Sequence, residues 1–254
     1  MVDVLISTEK IVTILLIATR LMPVFLVLPL QNVISLPNRI RFFIVLGLSL
    51  VLSTLTSSAS LDSPMVLLFA FGYELLIGLA LASIVLVFFS VSLYAGRLID
   101  FQSGLSAASV LNPSSGSQNS LLGTLILLTG TSFFFLLDAH HVLIRGLLFS
   151  LETFPPGHGG EFDRLWKDLL LLGVPLFMYG LLIASPVVIG LLFMDVAFSA
   201  TARTMPQMNP YFIALPAKIA AGVALTALSI AQFSPVFEHL FTELFTHWHK
   251  VLRG

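Results

Sequence analysis

Six apolar stretches, residues 11–30, 40–55, 65–93, 121–137, 169–194 and 211–233, occupy most of this 254-residue chain. A helix needs about 20 mostly apolar residues to cross the hydrocarbon core of a bilayer, and each stretch meets or approaches that length. Only the fourth lacks both ionisable residues and proline. The first carries Arg20 and Pro23, the third Glu74, and the sixth Pro216 and Lys218, while Pro175, Gly180, Pro186 and Gly190 punctuate the fifth. A charge at the centre of a span costs roughly 2.5–3.5 kcal/mol on insertion scales. Proline removes a backbone donor and clashes with the preceding turn, so these helices are expected to be kinked or broken. Both features are tolerated where protein rather than lipid surrounds the backbone. The pattern describes an all-α, integral-membrane-type chain made for a multi-helix assembly.

Composition narrows the function classes. Hydrophobic residues make up 57% of the chain and charged residues 10%, against roughly 25% charged in a soluble domain. So few charges cannot cover a water-soluble fold of this length, and disorder has the opposite signature. Lys+Arg 12 against Asp+Glu 13 leaves a net charge of −1, so no basic surface points to nucleic acid. The absence of cysteine removes disulfides, thiolate metal sites and a cysteine nucleophile together. The acidic start, Met-Val-Asp-Val, has no small-residue cleavage site after a short apolar core, so a cleaved signal peptide is not expected. A plain six-span topology fails the positive-inside rule. It puts Arg39, Arg41 and Arg97 on one side, but Arg145, Arg164, Lys167, Lys250 and Arg253 on the other.

Two stretches do not read as spans. Residues 101–120, FQSGLSAASVLNPSSGSQNS, carry one breaker at Asn112-Pro113, many small polar residues and no charge. Composition leaves two readings open, a flexible Ser/Gly linker or a segment that sits against protein or lines a narrow wet cavity. Residues 235–253 place Phe237, Leu240, Phe241, Leu244, Phe245, Trp248, Val251 and Leu252 on one helical stripe. Ser234 is the expected cap of that helix, with Pro235 in its first turn. It reads as an amphipathic helix for a partner or an interface.

Few constellations suggest chemistry. His239, Glu243 and His247 share a helical face at i, i+4, i+8 but lack the HExxH order of a zinc site. Asp138, His140 and His141 close the fourth stretch, where a proton relay competes with the plainer reading of polar residues at a membrane edge. Arg20, Glu74 and Lys218 read first as structural charges that must find partners. Gly78 with Ala82, and Ala220 with Ala224, are small-residue pairs that allow close helix approach. No phosphate loop, nucleophile elbow or dinucleotide fingerprint occurs. No enzyme, metal or cofactor is expected.

An ordered set of phrases resembles the FliR family of flagellar type III export-gate proteins. It runs Arg20…Pro29, Pro37-Asn-Arg39, Glu74-Leu-Leu-Ile-Gly78 and Gly96-Arg97-Leu-Ile-Asp100-Phe-Gln102-Ser-Gly104. It continues with Asn112-Pro113, Asp138-Ala-His140, Pro206-Gln207-Met-Asn209, Pro216-Ala-Lys218 and Glu238-His-Leu-Phe-Thr-Glu-Leu-Phe245. The set covers essentially the whole chain. It departs from the family at Asn112, where Asp is frequent, and at Ala139, where Gly is.

The resemblance implies a subunit of a gate in the bacterial inner membrane, at the flagellar basal body, through which unfolded proteins are exported. Its implied partners are FliP-like and FliQ-like subunits and an FlhB-like switch protein, besides the substrates and membrane lipid. It implies a FliP-like part, residues 1–155, followed by a FliQ-like hairpin and the C-terminal helix, residues 156–254. The pore-closing loop maps onto residues 101–120. Val110 and Leu111 form the expected apolar tip, Asn112-Pro113 its turn, and Gly104 and Gly116 its hinges, with Phe101, Gln102, Gln118 and Asn119 completing it. Arg20, Glu74, Arg97, Asp100, Asp138, Asp195, Arg203 and Lys218 are the expected buried or assembly charges. Phe237, Phe241, Phe245 and Trp248 are the expected docking residues. The equivalent subunit of a virulence type III system is the nearest alternative. A secondary transporter is a more distant one, since the expected internal repeat is missing.

Overall fold

The computed structural model describes residues 8–28, 37–57, 63–106, 120–157, 173–204 and 210–253, and these form helices and turns without a strand. The helices are α1 (Thr8–Val27), α2 (Asn38–Leu52), α3 (Pro64–Ser103), α4 (Leu121–Leu136), α5 (Ala139–Thr153), α6 (Gly173–Thr204) and α7 (Pro210–Arg253). Four of them, α1, α3, α6 and α7, are long and apolar enough to cross a membrane. The chain is an all-α, integral-membrane-type protein.

The second and fourth stretches are shorter as helices than as apolar runs. At about 1.5 Å per residue, the 15 residues of α2 and the 16 of α4 fall short of a hydrocarbon core about 30 Å thick. Asp138 follows the fourth, with the left-handed φ of 53° that Asp tolerates better than most residues, and α5 begins immediately after. Taken together, α4 and α5 have the length and hydropathy of one more crossing. Hydropathy alone misses α5, because His140, His141, Arg145 and Glu152 dilute its apolar face.

Proline does not end the long helices. Pro23 lies inside α1, Pro186 inside α6, and Pro216 and Pro235 inside α7. Pro186 leaves the Leu182 carbonyl without its amide partner, and Ser185 Oγ donates to that oxygen at 2.9 Å instead. The separate C-terminal helix expected from Pro235, capped by Ser234, is therefore corrected. Its residues form the second half of the 44-residue α7. Burial of Phe233, Phe237, Leu240 and Phe241 on both sides of Pro235 holds the helix through it. The third stretch also runs further than its apolar pattern. Nothing in Gly96-Arg-Leu-Ile-Asp-Phe-Gln-Ser103 breaks a helix, and α3 stops only where Gly104 takes a φ of +86°.

The helices form two compact units. The first comprises Met1–Phe88, Asp138–Gly173 and Phe241–Gly254, and the second Phe89–Leu137 and Val174–Leu240. In the first unit, Leu16, Ile17 and Leu21 of α1 and Ile77 and Leu81 of α3 are wholly buried, and Phe88 stacks on Phe241 at 4.1 Å. Gly78 lets α3 approach the backbone of α1, since a Cβ there would collide with the Arg20 carbonyl oxygen. In the second unit, Ile99, Leu122, Ile183, Val187, Leu191 and Phe237 make the core. Gly96 lies so close to Gly123 that a Cβ would strike that residue's Cα. Of the second small-residue pair, Ala220 and Ala224 are exposed, and Gly222 between them makes the close contact, with Ser103.

These approaches give a prediction. Gly96→Val must push α4 off α3, at a cost of roughly 1–3 kcal/mol from overpacking. Gly72, with open space around its Cα, gains helix propensity as Ala, about 0.5–1 kcal/mol. Protease resistance of the purified chain should fall for Gly96→Val and hold or rise for Gly72→Ala. Equal resistance of the two variants would refute the close contact.

Candidate functional site

In the first unit, Arg20 and Glu74 form an ion pair with both side chains at 0% exposure. Arg20 Nε donates to Glu74 Oε2 at 2.5 Å and Nη2 donates to Oε1 at 3.0 Å. The remaining guanidinium protons go to the end of α5. Nη1 donates to the Ser150 carbonyl at 2.8 Å and to Ser150 Oγ at 3.5 Å, and Nη2 to the Phe154 carbonyl at 2.8 Å. Arg20 thus supplies a cation where the helix dipole is negative, beside a Ser150 carbonyl that also accepts the Phe154 amide at 3.0 Å. The Gly157 amide adds a third donor to Glu74, at 3.2 Å on Oε1. Gly157 presents that amide through a φ of +85° at the end of the Pro155-Pro-Gly turn. One buried pair joins α1, α3 and the end of α5.

The second unit fastens both stems of the 101–120 region. Asp100, 4% exposed in the last turns of α3, accepts Ser120 Oγ–H at 2.5 Å and the Leu122 amide at 3.2 Å. Ser120 Oγ in turn accepts the Gly123 amide at 2.8 Å. The first turn of α4 therefore has two of its free amides capped, one by the serine and one by a carboxylate favoured at a helix N-terminus. The Asp100 carbonyl accepts the Ser106 amide at 3.2 Å, which closes the turn after α3. Gln102 Nε2 donates to Asp195 Oδ2 at 3.0 Å, and Lys218 Nζ lies 2.8 Å and 3.0 Å from the two oxygens of that carboxylate. Gly104 abuts Leu215, so α3, α6 and α7 meet where the stem leaves α3.

The expected site residues divide accordingly. Arg20 pairs with Glu74, Asp195 pairs with Lys218, and Asp100 is buried. Arg97, Asp138 and Arg203 are exposed in this chain and are not among its buried charges. Arg97 follows the packed Gly96 and projects about 100° away from it on the helix. Asp138 sits in the turn before α5, and Arg203 in the last turn of α6. Phe101 and Gln102 belong to α3, Phe101 exposed and Gln102 partly buried. Val110, Leu111, Asn112, Pro113, Gly116, Gln118 and Asn119 lie outside the described residues.

Phe237, 0% exposed, stacks on Phe133, and Phe241, 6% exposed, stacks on Phe88. Both belong to the chain's own core and are corrected as docking residues, because continuous α7 carries them onto neighbouring helices. The side chains of Phe245 and Trp248 lie outside the description. Arg41, read from sequence as a topology marker only, is buried and donates to the Leu26 carbonyl at 3.2 Å. Asp138, His140 and His141 bring ligand-type atoms within 4.8 Å of one another.

Comparison with known proteins agrees with this architecture. The family model described as "Bacterial export proteins, family 1" matches residues 11–244. The chain is 30% identical over 236 residues to the flagellar biosynthetic protein FliR of Bacillus subtilis, covering 90% of each chain. It is 28% identical over 223 residues to FliR of Escherichia coli, covering 85% of this chain and 84% of that one. It is also 26% identical over 168 residues to the Yop proteins translocation protein T of Yersinia pestis, covering 65% and 64%. The family model and these similarities extend over nearly the full length: the chain belongs to family 1 of the bacterial export proteins, which includes FliR.

Proposed function

We propose that this chain is a subunit of the flagellar type III export gate in the bacterial inner membrane, and that its 101–120 region closes the conduit for unfolded flagellar proteins. The observation that carries the reading is Asp100. One carboxylate and its own backbone carbonyl tie together the descending stem at Ser106 and the ascending stem at Ser120 and Leu122. A plain linker has no need of such a base, whereas a plug must be held over a pore at a fixed point. FliP-like and FliQ-like subunits and an FlhB-like switch protein are the proposed partners. Residues 1–155 would supply the FliP-like part and 156–254 the FliQ-like part. Assembly is supported by α6 and α7, whose apolar windows are mostly exposed in the chain by itself. The subunit forms a passage and performs no catalysis.

Similarity to the Yop translocation protein favours a second reading, the equivalent subunit of a virulence system. One experiment separates the two. Deleting the gene in the organism of origin should abolish filaments and the secretion of flagellar protein, and a plasmid copy should restore both. Intact flagella with loss of other secreted proteins would favour the virulence reading, and no secretion defect at all would overturn both.

A further inference from the structure

We propose that Asp138, His140 and His141 form a binding site for one divalent transition-metal ion of the zinc class, at the turn that leads into α5. One ligand-type atom from each of the three residues lies within 4.8 Å of the other two. Helix geometry alone would spread the two histidines. Consecutive residues of a helix point about 100° apart, yet the ring centroids of His140 and His141 are 4.1 Å apart. His141 Nδ1 lies 3.4 Å from Asp138 Oδ1. Two donors bound to one tetrahedral ion at about 2.1 Å stand roughly 3.4 Å from each other. This pair therefore already has the spacing of neighbouring ligands, and rotation of the His140 side chain brings in the third.

The direction of the Asp138 carboxylate is a second, independent observation. Asp138 stands at the N-cap of α5, where aspartate is among the best acceptors for the free amides of a first turn. Its side chain caps none of them. At the matching position of α4, Ser120 does accept the Gly123 amide. Among the described residues Asp138 is also the one non-glycine with a positive φ, 53°, a backbone state that is costly for a residue with a Cβ. That conformation goes with a carboxylate that faces His141 and not the amides. The side chains of His141 and Asp138 are 63% and 73% exposed, so an ion reaches them from solvent and keeps water at its remaining positions.

Two imidazoles and one carboxylate select the ion. Imidazole nitrogen suits Zn2+, Ni2+ and Cu2+, whereas Mg2+ and Ca2+ call for oxygen ligands throughout. The positive end of the α5 dipole opposes a cation by no more than about fivefold in affinity, and the Asp138 charge offsets it.

The test uses the complex with which the chain purifies, made without a histidine tag and stripped of metal by a chelator. Co2+ is the probe, because its visible absorption reports ligand type and geometry, and Zn2+ is the competitor. The parent complex should bind one more equivalent of Co2+ per copy of this chain than a His140→Gln, His141→Gln variant. Zn2+ should displace that equivalent and excess Mg2+ should not. Asp138→Gly removes the carboxylate while glycine accepts the positive φ, so it decides the matter if the double variant does not assemble. It should weaken Zn2+ binding by at least about tenfold, since even a partner outside the ligand shell is worth that much. His247→Gln with His249→Gln should leave binding unchanged. Lack of the extra equivalent in the parent would overturn the proposal, as would Zn2+ affinity unaltered in Asp138→Gly or loss of the ion with His247 and His249 instead. None of these outcomes bears on the export function.

Discussion

Cells making the complete gate with residues 110–115 deleted from this chain are expected to leak ions and to grow slowly, while the complex still assembles. A conduit for a protein chain must also hold back ions when no substrate fills it. A charged loop would stay hydrated and conduct. A wholly apolar one would resist a polar substrate. Small neutral side chains bury little area and carry little rotamer entropy, so they close tightly and still slide aside. The base fixes where such a segment can act. Asp100 holds the ascending stem by two charge-assisted bonds, each worth roughly 1.5–3 kcal/mol when buried. Asp100→Ala should therefore also raise leakage, with the loop intact but its base released by on the order of a hundredfold. Ion flux is measured with a potential-sensitive dye, and copurification shows that the gate has formed. Background leakage from an assembled deletion variant would mean that the segment is a linker.

What was readable in the sequence were the properties that one helix carries by itself. Apolar runs marked the positions of α1, α3, α6 and α7, and the rarity of charge within them marked Arg20, Glu74 and Lys218 as residues needing partners. The partners were not readable. Arg20 meets Glu74 54 positions away and Ser150 130 positions away, and no local period encodes such a pairing. Gly96 and Asp100 one turn apart, with Ser120 before an apolar run, were a usable sign of the α3–α4 fastening. The inward direction of Phe237 and Phe241 was hidden, since an amphipathic stripe looks the same whether it meets a partner or its own chain. Proline misled for a related reason. Its local cost is real, but packing on both sides and a bond such as Ser185 to Leu182 outweigh it.

Glu74→Gln is expected to lower the stability of the purified chain by about 3–5 kcal/mol, the usual cost of leaving one member of a buried ion pair without its counter-charge. Glu74→Ala should cost at least as much, because it also removes the acceptor of the Gly157 amide. The more decisive variant is the double replacement Arg20→Met, Glu74→Leu. Apolar substitution of a buried pair is often neutral or stabilising when the two charges serve only each other. Here the guanidinium also donates to the Phe154 carbonyl and is a second donor to the Ser150 carbonyl, beside the Phe154 amide. Removing both partners relieves the charge but deprives the Phe154 carbonyl and the Gly157 amide of these bonds. A buried polar group left without a partner costs roughly 1–3 kcal/mol. The double variant should then remain clearly less stable than the parent, and protease cleavage should rise near Gly157 before the rest of the chain. The measurement is thermal unfolding in detergent, together with limited proteolysis read by mass. A double variant that melts like the parent would reduce Arg20 and Glu74 to a self-contained pair. A single Glu74→Gln variant that melts like the parent would remove the pair from the framework of the first unit altogether.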